Sequence, residues 1–287
     1  MKKFKRTSAF LMALILSVSA LAFTIPTSAA EGYDFPKGSV PVNVTVDGKR
    51  VLEGEAVIIN SVTYVPVRSF SEIMGAESIS WNAATRTATV KKSGVEIHLK
   101  DSALYVGANG RYFFTVERIL NISNRLFVPI RAISGAFNAT VEWDNATRTV
   151  KVTSGKKALA SASNYYNSTD LYWLSRIISA EASGESLVGQ IAVGNVVLNR
   201  RASSQYPNTV YGVVFDRKGG TQFSPVSMGT IYNTPSESSV IAAKICLEGY
   251  SVDTDILFFM NPRIATSNWI SKNRPYAFTI GRHSFYY

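Results

Sequence analysis

The clearest candidate for chemistry in this sequence is Glu181, a carboxylate on the apolar side of a predicted helix. Leu171, Leu174, Ile178 and Glu181 follow one another at steps of three and four residues, which places them on one helix face. Burial on such a face raises the pKa of a carboxyl group and favours a protonated acid that can donate to a leaving oxygen. Because Gly184 follows so closely, a glutamate at a fraying helix end explains the spacing equally well. The residues alone leave both interpretations open.

Three predicted helices must position this carboxylate. One begins near residues 168–170 and carries Glu181, and a second spans residues 186–201. A third opens with TPSE at 234–237, a capping box with proline at the first helical position, and ends in a left-handed cap at Gly249. The C-terminal region is therefore expected to be mainly helical, with an aromatic and polar tail.

Ordered sequence blocks run through this region. They are AEASGE at 180–185, GQIAVGNVVLNR at 189–200, YP at 206–207, QFSP at 222–225, NP at 261–262 and GRHSF at 281–285. Through these blocks, residues 171–287 resemble the SleB-type cell-wall hydrolases, the family of the spore-cortex-lytic enzymes. The resemblance implies a small lysozyme-like fold that cleaves peptidoglycan glycan strands, in several members as a lytic transglycosylase. It places the family's catalytic glutamate at Glu181, whereas Met260 stands where the family often has a tyrosine.

Five residues in or beside these blocks are candidates for binding sugar. Gln222, Ser224 and Asn261 carry groups that hydrogen-bond N-acetyl groups and hydroxyls, and Tyr206 and Phe223 carry rings that stack on sugar faces. For the two rings, a place in the core is at least as good an explanation. The expected partner is peptidoglycan or spore cortex, and the sequence does not distinguish cortex from vegetative wall.

Three functions fit a single prominent glutamate. A lytic transglycosylase needs only one, which protonates the glycosidic oxygen and then takes a proton from the muramic C6 hydroxyl as a 1,6-anhydro ring closes. A muramidase or glucosaminidase needs a second carboxylate, for which Glu185 is the nearest candidate, although capping or orienting the next helix is the favoured role for it. A non-catalytic wall-binding protein is the third. His283 is expected to hydrogen-bond within the core.

The middle of the chain contains two similar segments. YVPVR at 64–68 precedes WNAATRT at 81–87, and FVPIR at 127–131 precedes WDNATRT at 143–149, which predicts a duplicated strand–helix–hairpin unit. Through these motifs residues 40–154 resemble the copper amine oxidase N-terminal-like domain, a non-catalytic module of Gram-positive envelope proteins that implies no copper ligands. The motif arginines fit contacts within the fold better than contacts with a wall polymer; they are Arg68, Arg86, Arg131 and Arg148. Adhesion or spacing is the expected role.

The ends and joints of the chain complete the predicted organisation. Four basic residues among the first six precede an apolar run at 9–23 and then small residues, which is typical of a secretory signal peptide (residues 1–30) cleaved near Ala30. Residues 155–168 are rich in Ser, Ala and Asn and are typical of a linker, and residues 169–287 form the predicted hydrolase domain. We therefore expect a secreted α+β multidomain protein of a Gram-positive-type wall or spore.

Composition narrows the function classes further. The net charge of +10 over 287 residues becomes +6 without the signal peptide, and it forms no stripe of the kind a nucleic-acid binder needs. Cys246 is the sole cysteine, so no disulfide is expected, and its apolar helical setting predicts a buried thiol. His98 and His283 lie in different predicted domains without metal-ligand spacing, so neither a metal nor a cofactor is expected.

Overall fold

The structure, a computed structural model, describes residues 32–218 and 220–287. The predicted signal peptide, residues 1–30, lies outside the described residues. The described chain is α+β, with a β-rich N-terminal part and a mainly helical C-terminal part. None of the helices in the described residues is long and apolar enough to cross a membrane.

The N-terminal part consists of short strands and two helices of two turns each. The strands are β1 (Val40–Pro41), β2 (Asn43–Val46), β3 (Lys49–Val51), β4 (Val57–Ile59), β5 (Val62–Pro66), β6 (Ser78–Asn82), β7 (Thr87–Lys92), β8 (Val95–Lys100), β9 (Tyr105–Ala108), β10 (Arg111–Phe114), β11 (Leu120–Ile122), β12 (Arg125–Pro129), β13 (Thr140–Asp144) and β14 (Thr149–Thr153). The helices are α1 (Val67–Ile73) and α2 (Ile130–Ala136). Three sheets form, in the orders β1-β4-β5-β12-β11, β10-β9-β8-β7-β6 and β13-β14-β2-β3, and only the β14–β2 pair is parallel.

The two similar sequence segments occupy matching elements. In the first, α1 follows β5 and precedes the β6–β7 hairpin; in the second, α2 follows β12 and precedes the β13–β14 hairpin. Strands β5 and β12 pair with each other, whereas the two hairpins belong to different sheets. That the segments are copies of one unit stays a prediction.

Two of the four motif arginines make contacts inside the fold, and a third lies in an exposed ion pair. Arg86 pairs with the buried carboxylate of Asp101, and Arg131 donates to the backbone oxygen of Val141 at 3.1 Å. Arg68 lies 3.6 Å from the carboxylate of Glu72, one helical turn along α1. These contacts favour the structural role expected for the motif.

The C-terminal part contains seven helices and three strands among the residues described. The helices are α3 (Ala162–Tyr165), α4 (Ser168–Ala182), α5 (Leu187–Ala202), α6 (Val210–Val214), α7 (Ser224–Met228), α8 (Glu237–Leu247) and α9 (Trp269–Asn273), with a 3-10 turn at Thr230–Tyr232. The strands are β15 (Phe258–Met260), β16 (Tyr276–Ile280) and β17 (His283–Tyr286), which form an antiparallel sheet in the order β15-β17-β16. The aromatic tail thus becomes a small sheet, and likeness to lysozyme stays a prediction.

The start of α8 differs from the sequence prediction. Its N-cap is Ser236, whose hydroxyl accepts from the backbone N–H of Ser239 at 3.2 Å, so the helix begins at Glu237 and Pro235 lies outside it. The backbone N–H of Ser236 donates to the hydroxyl of Ser179 on α4 at 3.1 Å, which holds Ser236 in an extended conformation. The tertiary contact therefore moves the helix start by two residues. Gly249, with φ +94°, ends the helix in the left-handed region as predicted.

The helical core forms where α4, α5 and α8 meet. Leu174 and Ile178 of α4 are fully buried. A Cβ at Gly194 of α5 would lie 2.7 Å from the sulfur of Cys246 and 2.8 Å from Ile178, so only glycine allows this approach. Cys246 is a buried free thiol, as predicted, and burial raises its pKa. This core fixes the C-terminal half of α4, which carries Glu181.

A buried ion pair joins the β-rich part to the helical part. Arg111 on β10 donates through Nε and Nη2 to both carboxylate oxygens of Glu248, at 2.7 and 2.6 Å. The hydroxyl of Tyr166, from the predicted linker, donates to the same carboxylate. Lys244 of α8 donates to the backbone oxygen of Gly110 at 2.8 Å. The predicted linker segment therefore packs between the two parts and contains a short helix of its own.

Candidate active site

Glu181 lies in the last turn of α4, on the wall of a large cleft. Helix α4 starts firmly because the side chain of Asn167 accepts from the backbone N–H groups of Thr169 and Asp170, both at 3.0 Å. The helix buries Ile178 completely, and Glu181 one turn later is half-buried at the cleft surface. No hydrogen bond or ion pair to the Glu181 carboxyl occurs within residues 32–218 and 220–287. Burial raises its pKa to about 7.

The environment of Glu181 favours the interpretation as an acid catalyst over that of a solvated glutamate at a fraying helix end. Burial is the one cause of the raised pKa, so no neighbouring charge perturbs the group. Near neutral pH, a substantial fraction of the carboxyl groups carries a proton, and the same group can accept one once it has ionised. Glu181 therefore has the protonation behaviour that a group acting first as acid and then as base requires.

The cleft has a volume of about 1760 Å³ and brings together every residue predicted to act on a substrate. The side chains that line it include Glu181, Tyr206, Gln222, Phe223, Ser224 and Asn261. They come from four regions of the chain: the end of α4, the turn after α5, the start of α7 and the loop after β15. Their roles stay predictions, but their common location makes one extended binding site physically reasonable.

The three polar candidates differ in how many hydrogen bonds they already make within the protein. The amide nitrogen of Gln222 donates to the backbone oxygen of Lys218 at 3.0 Å, which orients the side chain at the loop before α7. The side-chain oxygen of Asn261 accepts from the backbone N–H of Arg263 at 3.1 Å and leaves its amide nitrogen for other partners. Ser224 is exposed at the first position of α7. Asn261 and Ser224 therefore offer the freer hydrogen-bonding groups.

The two candidate aromatic residues also differ. Tyr206 is half-buried beside the cleft. Phe223 is only 2% exposed and belongs to the helical core, with its ring centre 6.3 Å from that of Phe259. A ring buried to this extent offers no open face to a sugar. Phe223 therefore supports the cleft wall from behind, which is the core role that the sequence also allowed.

Glu185 is held in an ion pair and does not act as a helix cap. Its Oε1 accepts from Nε of Arg282 at 2.7 Å and its Oε2 accepts from the backbone N–H of Arg282 at 3.1 Å. Although burial alone would raise its pKa, the hydrogen bonds and charge of Arg282 hold the pKa below its usual value. The capping role expected for Glu185 falls instead to Ser186, whose hydroxyl accepts from the backbone N–H of Gly189 at 3.2 Å.

His283 also lines the cleft, but it lacks the hydrogen bond expected of it. The ring is 7% exposed, and its Nδ1 is buried without a hydrogen-bond partner in the part of the chain that the structure describes. Its ring packs edge-on against Phe259, with centres 5.3 Å apart. Burial lowers the pKa of His283, so the ring is neutral around neutral pH.

The structure adds charged cleft residues that the sequence did not single out as site residues. They are Arg176, Arg200, Asp216, Lys218 and Arg274. Arg200 carried a usable signal, because it follows the apolar positions Val193 and Val197 at steps of four and three, the pattern that drew attention to Glu181. Across the residues described, no cluster of three or more His, Cys, Asp or Glu side chains could hold a metal ion.

Comparison with known protein families finds two matches along the chain. Residues 184–286 match the family described as Cell Wall Hydrolase, and residues 45–152 match the Copper amine oxidase N-terminal domain. The chain therefore contains a cell wall hydrolase domain, preceded by a copper amine oxidase N-terminal domain. The hydrolase match begins three residues after Glu181, so the role of that residue does not follow from the match.

Named relatives also match part of this chain. Spore cortex-lytic enzymes match at 38% identity over 122 residues in Bacillus cereus, and at 36% identity over 120 residues in Bacillus subtilis (strain 168). Each match covers 42% of this chain. It covers 46% of the length of the Bacillus cereus enzyme and 38% of the length of the Bacillus subtilis enzyme. The chain thus spans less than half the length of these enzymes.

A solved structure also matches. The catalytic domain of the germination-specific lytic transglycosylase SleB from Bacillus anthracis is 37% identical, with a TM-score of 0.39. The match covers 43% of this chain and 98% of that domain.

Proposed function

We propose that this chain is a secreted peptidoglycan-degrading enzyme that cuts glycan strands between N-acetylmuramic acid and N-acetylglucosamine as a lytic transglycosylase. The observation that carries the proposal is Glu181, whose pKa is raised to about 7 by burial alone at the wall of a 1760 Å³ cleft. The match to the cell wall hydrolase family and the name of the matching relatives, spore cortex-lytic enzymes, support the same substrate class. Spore cortex is the proposed natural wall.

The proposed reaction needs one carboxyl group and no added water. Protonated Glu181 donates to the glycosidic oxygen as the bond from that oxygen to the muramic C1 breaks. The C6 hydroxyl of the same muramic residue then bonds to C1, and the Glu181 carboxylate takes the hydroxyl proton. The products are a new free hydroxyl on N-acetylglucosamine and a 1,6-anhydromuramic end, and Glu181 is again protonated. Tyr206, Ser224, Gln222 and Asn261 are the proposed contacts to neighbouring sugars.

A hydrolytic mechanism is the second candidate because another acid lines the cleft. A muramidase or glucosaminidase requires a second carboxylate to act as nucleophile or to activate water. The ion pair with Arg282 makes Glu185 a poor choice for that role. Asp216 is the remaining candidate, although its Oδ1 already accepts from the backbone N–H of Lys218 at 2.9 Å. Because Glu185 is ion-paired and Asp216 already accepts a hydrogen bond, the mechanism that uses Glu181 alone is favoured.

The N-terminal domain is the proposed wall-holding part. A pocket of about 310 Å³ lies between Arg68, Trp81 and Arg125, and Trp81 is 48% exposed. An open indole face beside two guanidinium groups fits an anionic wall polymer, because the ring stacks on sugars and arginine binds carboxylate or phosphate. Export after cleavage near Ala30 would deliver both domains to the envelope.

Lysis of purified walls by the mature chain tests the proposal. Wild-type protein should release soluble glycan from cortex or vegetative peptidoglycan, and Glu181→Gln should reduce release at least about a thousandfold while the protein still pellets with the wall. The matched control is Glu237→Gln, the same change at an exposed position outside the cleft, which should retain full activity. Undiminished lysis by Glu181→Gln, or wall binding by the wild type without any lysis, would overturn it.

A further inference from the structure

Arg200 is a buried cation at the cleft without a matching anion. It is 5% exposed, lies in the last turn of α5 and lines the same cleft as Glu181. No carboxylate lies within 4 Å of its guanidinium group among the residues described. Burying a charge without a counter-charge costs several kcal/mol. The burial of Arg200 therefore calls for an explanation, and an anionic group on a bound ligand is one.

The protein holds the guanidinium group in a fixed position but does not use all its donors. Nε donates to the backbone oxygen of Leu257 at 2.7 Å, and Nη1 lies 3.5 Å from the side-chain oxygen of Gln222. The rings of Tyr206 and Phe223 lie 5.1 and 5.2 Å from its central carbon. An arginine has five N–H donors, so more than half of them have no acceptor in the described protein. The site is therefore rigid and still able to bind an oxygen acceptor.

The charge of Arg200 does not serve Glu181. Burial is the one cause of the shift in Glu181, and a nearby guanidinium would have lowered that pKa instead. Asp216 attracts Arg200 from beyond ion-pair distance while its own carboxylate accepts from the backbone of Lys218. The positive charge of Arg200 therefore does not shift the pKa of Glu181, although both residues line the same cleft.

The net charge of the cleft lining also favours an anionic ligand. Arginine and lysine contribute five side chains to its lining, and acids contribute three: Glu181, Glu185 and Asp216. Of the acids, Glu185 is paired with Arg282, and Glu181 is largely uncharged below its raised pKa. The cleft therefore presents an excess of positive charge, which is complementary to an anionic polymer.

We propose that Arg200 binds a carboxylate group of the glycan substrate, at a subsite next to the sugar on which Glu181 acts. The inference rests on the proposed function and adds the chemical class that the cleft selects: amino-sugar strands bearing carboxylates, against uncharged strands. A planar guanidinium group with free donors matches a carboxylate in a two-point contact. On intact peptidoglycan, this group is a carboxylate of the stem peptide, because the lactyl carboxyl of a muramic residue is amide-bonded to that peptide. On strands that have lost their stem peptides, the lactyl carboxylate is free and is the group that Arg200 meets.

Chemical blocking of the substrate tests the proposal directly. Peptidoglycan is divided into three samples: intact, with its carboxylates amidated by carbodiimide, and stripped of stem peptides by an amidase so that lactyl carboxylates are free. Wild-type kcat/KM should fall about ten- to a hundredfold on the amidated sample, as expected for losing a charge-assisted hydrogen bond. Full activity on the stripped sample shows that Arg200 accepts the lactyl carboxylate as well, and loss there shows that it requires a carboxylate of the stem peptide.

Variants separate recognition from general charge and from folding. Arg200→Gln should lose the same factor on intact walls and show no further loss on amidated walls. The matched control is Arg201→Gln on the same helix turn, whose side chain pairs with Asp170 outside the cleft. It should discriminate between the two walls as the wild type does. Equal sensitivity of Arg200→Gln and wild type to amidation would overturn the proposal.

Binding measurements keep the test decisive if catalysis fails. Glu181→Gln protein, alone and combined with Arg200→Gln or Arg201→Gln, is pelleted with intact and amidated walls, and thermal unfolding confirms that each variant folds. The preference for intact walls should disappear only with Arg200→Gln. If Arg200→Gln does not fold, the wild-type response to amidation decides, and equal wild-type binding and lysis on both walls would contradict the inference. Absence of lysis on every wall would instead count against the proposed function.

Discussion

Glu185 and Arg282, 97 positions apart in sequence, form a two-point contact in the lining of the cleft, from Nε to Oε1 at 2.7 Å and from the backbone N–H to Oε2 at 3.1 Å. Nη2 of Arg282 also donates to the backbone oxygen of Gly184 at 3.0 Å. The contact ties the α4–α5 turn to the turn between β16 and β17. It also occupies the carboxylate nearest in sequence to Glu181 and lowers its pKa, whereas the pKa of Glu181 is raised.

This contact predicts a strict requirement for glycine at 281. Gly281 has φ +58°, and a Cβ there would lie 2.0 Å from Oε2 of Glu185. Gly281→Ala should cost about 2–4 kcal/mol in the free energy of unfolding, from left-handed strain plus displacement of the carboxylate. Gly229→Ala is the control, because Gly229 has φ +77° but open space around it, so it should show the strain alone. Equal losses in urea unfolding would contradict the steric argument.

The raised pKa of Glu181 predicts how its removal changes stability with pH. Its pKa rises from 4.5 to about 7 on folding, so between these values the folded state retains a proton that the unfolded chain has lost. Stability therefore falls as pH rises through this window, and the full cost is present above pH 7. Glu181→Gln should match the wild type below pH 4.5 and exceed it by up to about 3 kcal/mol above pH 7.

Denaturant unfolding at the two ends of this window measures the effect. Glu237→Gln, at an exposed site in the first turn of α8, should match the wild type at the low-pH end and be slightly less stable at the high-pH end, because an ionised carboxylate there interacts favourably with the helix dipole. A constant difference for Glu181→Gln would mean that the carboxyl is not desolvated in the folded protein.

The same pKa predicts the pH dependence of wall lysis. Because Glu181 must be protonated for the first step, kcat/KM of the wild type should fall about tenfold per pH unit above about pH 7. Initial rates on one wall preparation at constant ionic strength measure it. A decline that begins near pH 4.5, the ordinary value for a glutamic acid, would contradict a role for the burial-shifted group.

The buried ion pair between the two parts of the chain predicts a large loss of stability when Glu248 is neutralised. Glu248 has a 7% exposed side chain and accepts from Arg111 and Tyr166, so Glu248→Gln leaves the guanidinium of Arg111 buried without its counter-charge. We expect a loss of about 3–5 kcal/mol in the free energy of unfolding. Replacing both members with methionine should recover part of this loss. Glu72→Gln, in the exposed pair with Arg68, should change stability little.

Local rules predicted the elements that carry the candidate site. Helix periodicity identified α4 and placed Glu181 on its buried side, and glycine identified the end of α8. The sequence blocks led to the five further residues, all of which line one cleft. These features could be predicted because periodicity, capping and turn chemistry act over a few residues.

Contacts between distant segments could not be predicted in this way. The pairing of Glu185 with Arg282, the shift of the α8 cap to Ser236 and the burial of Phe223 each depend on how separate elements pack. The predicted linker contained no large aliphatic cluster to signal that Tyr166 would reach Glu248. The strands of the aromatic tail became visible only through their pairing with β17.

The ends of the released glycan test the central claim most directly, namely that Glu181 alone drives an intramolecular transglycosylation. Mature protein digests peptidoglycan in oxygen-18 water, and mass spectrometry reads the ends of the soluble fragments. The account predicts 1,6-anhydromuramic ends without label, all absent from a Glu181→Gln digest. Reducing ends carrying oxygen-18 would contradict it, because that oxygen can enter only when water attacks the sugar.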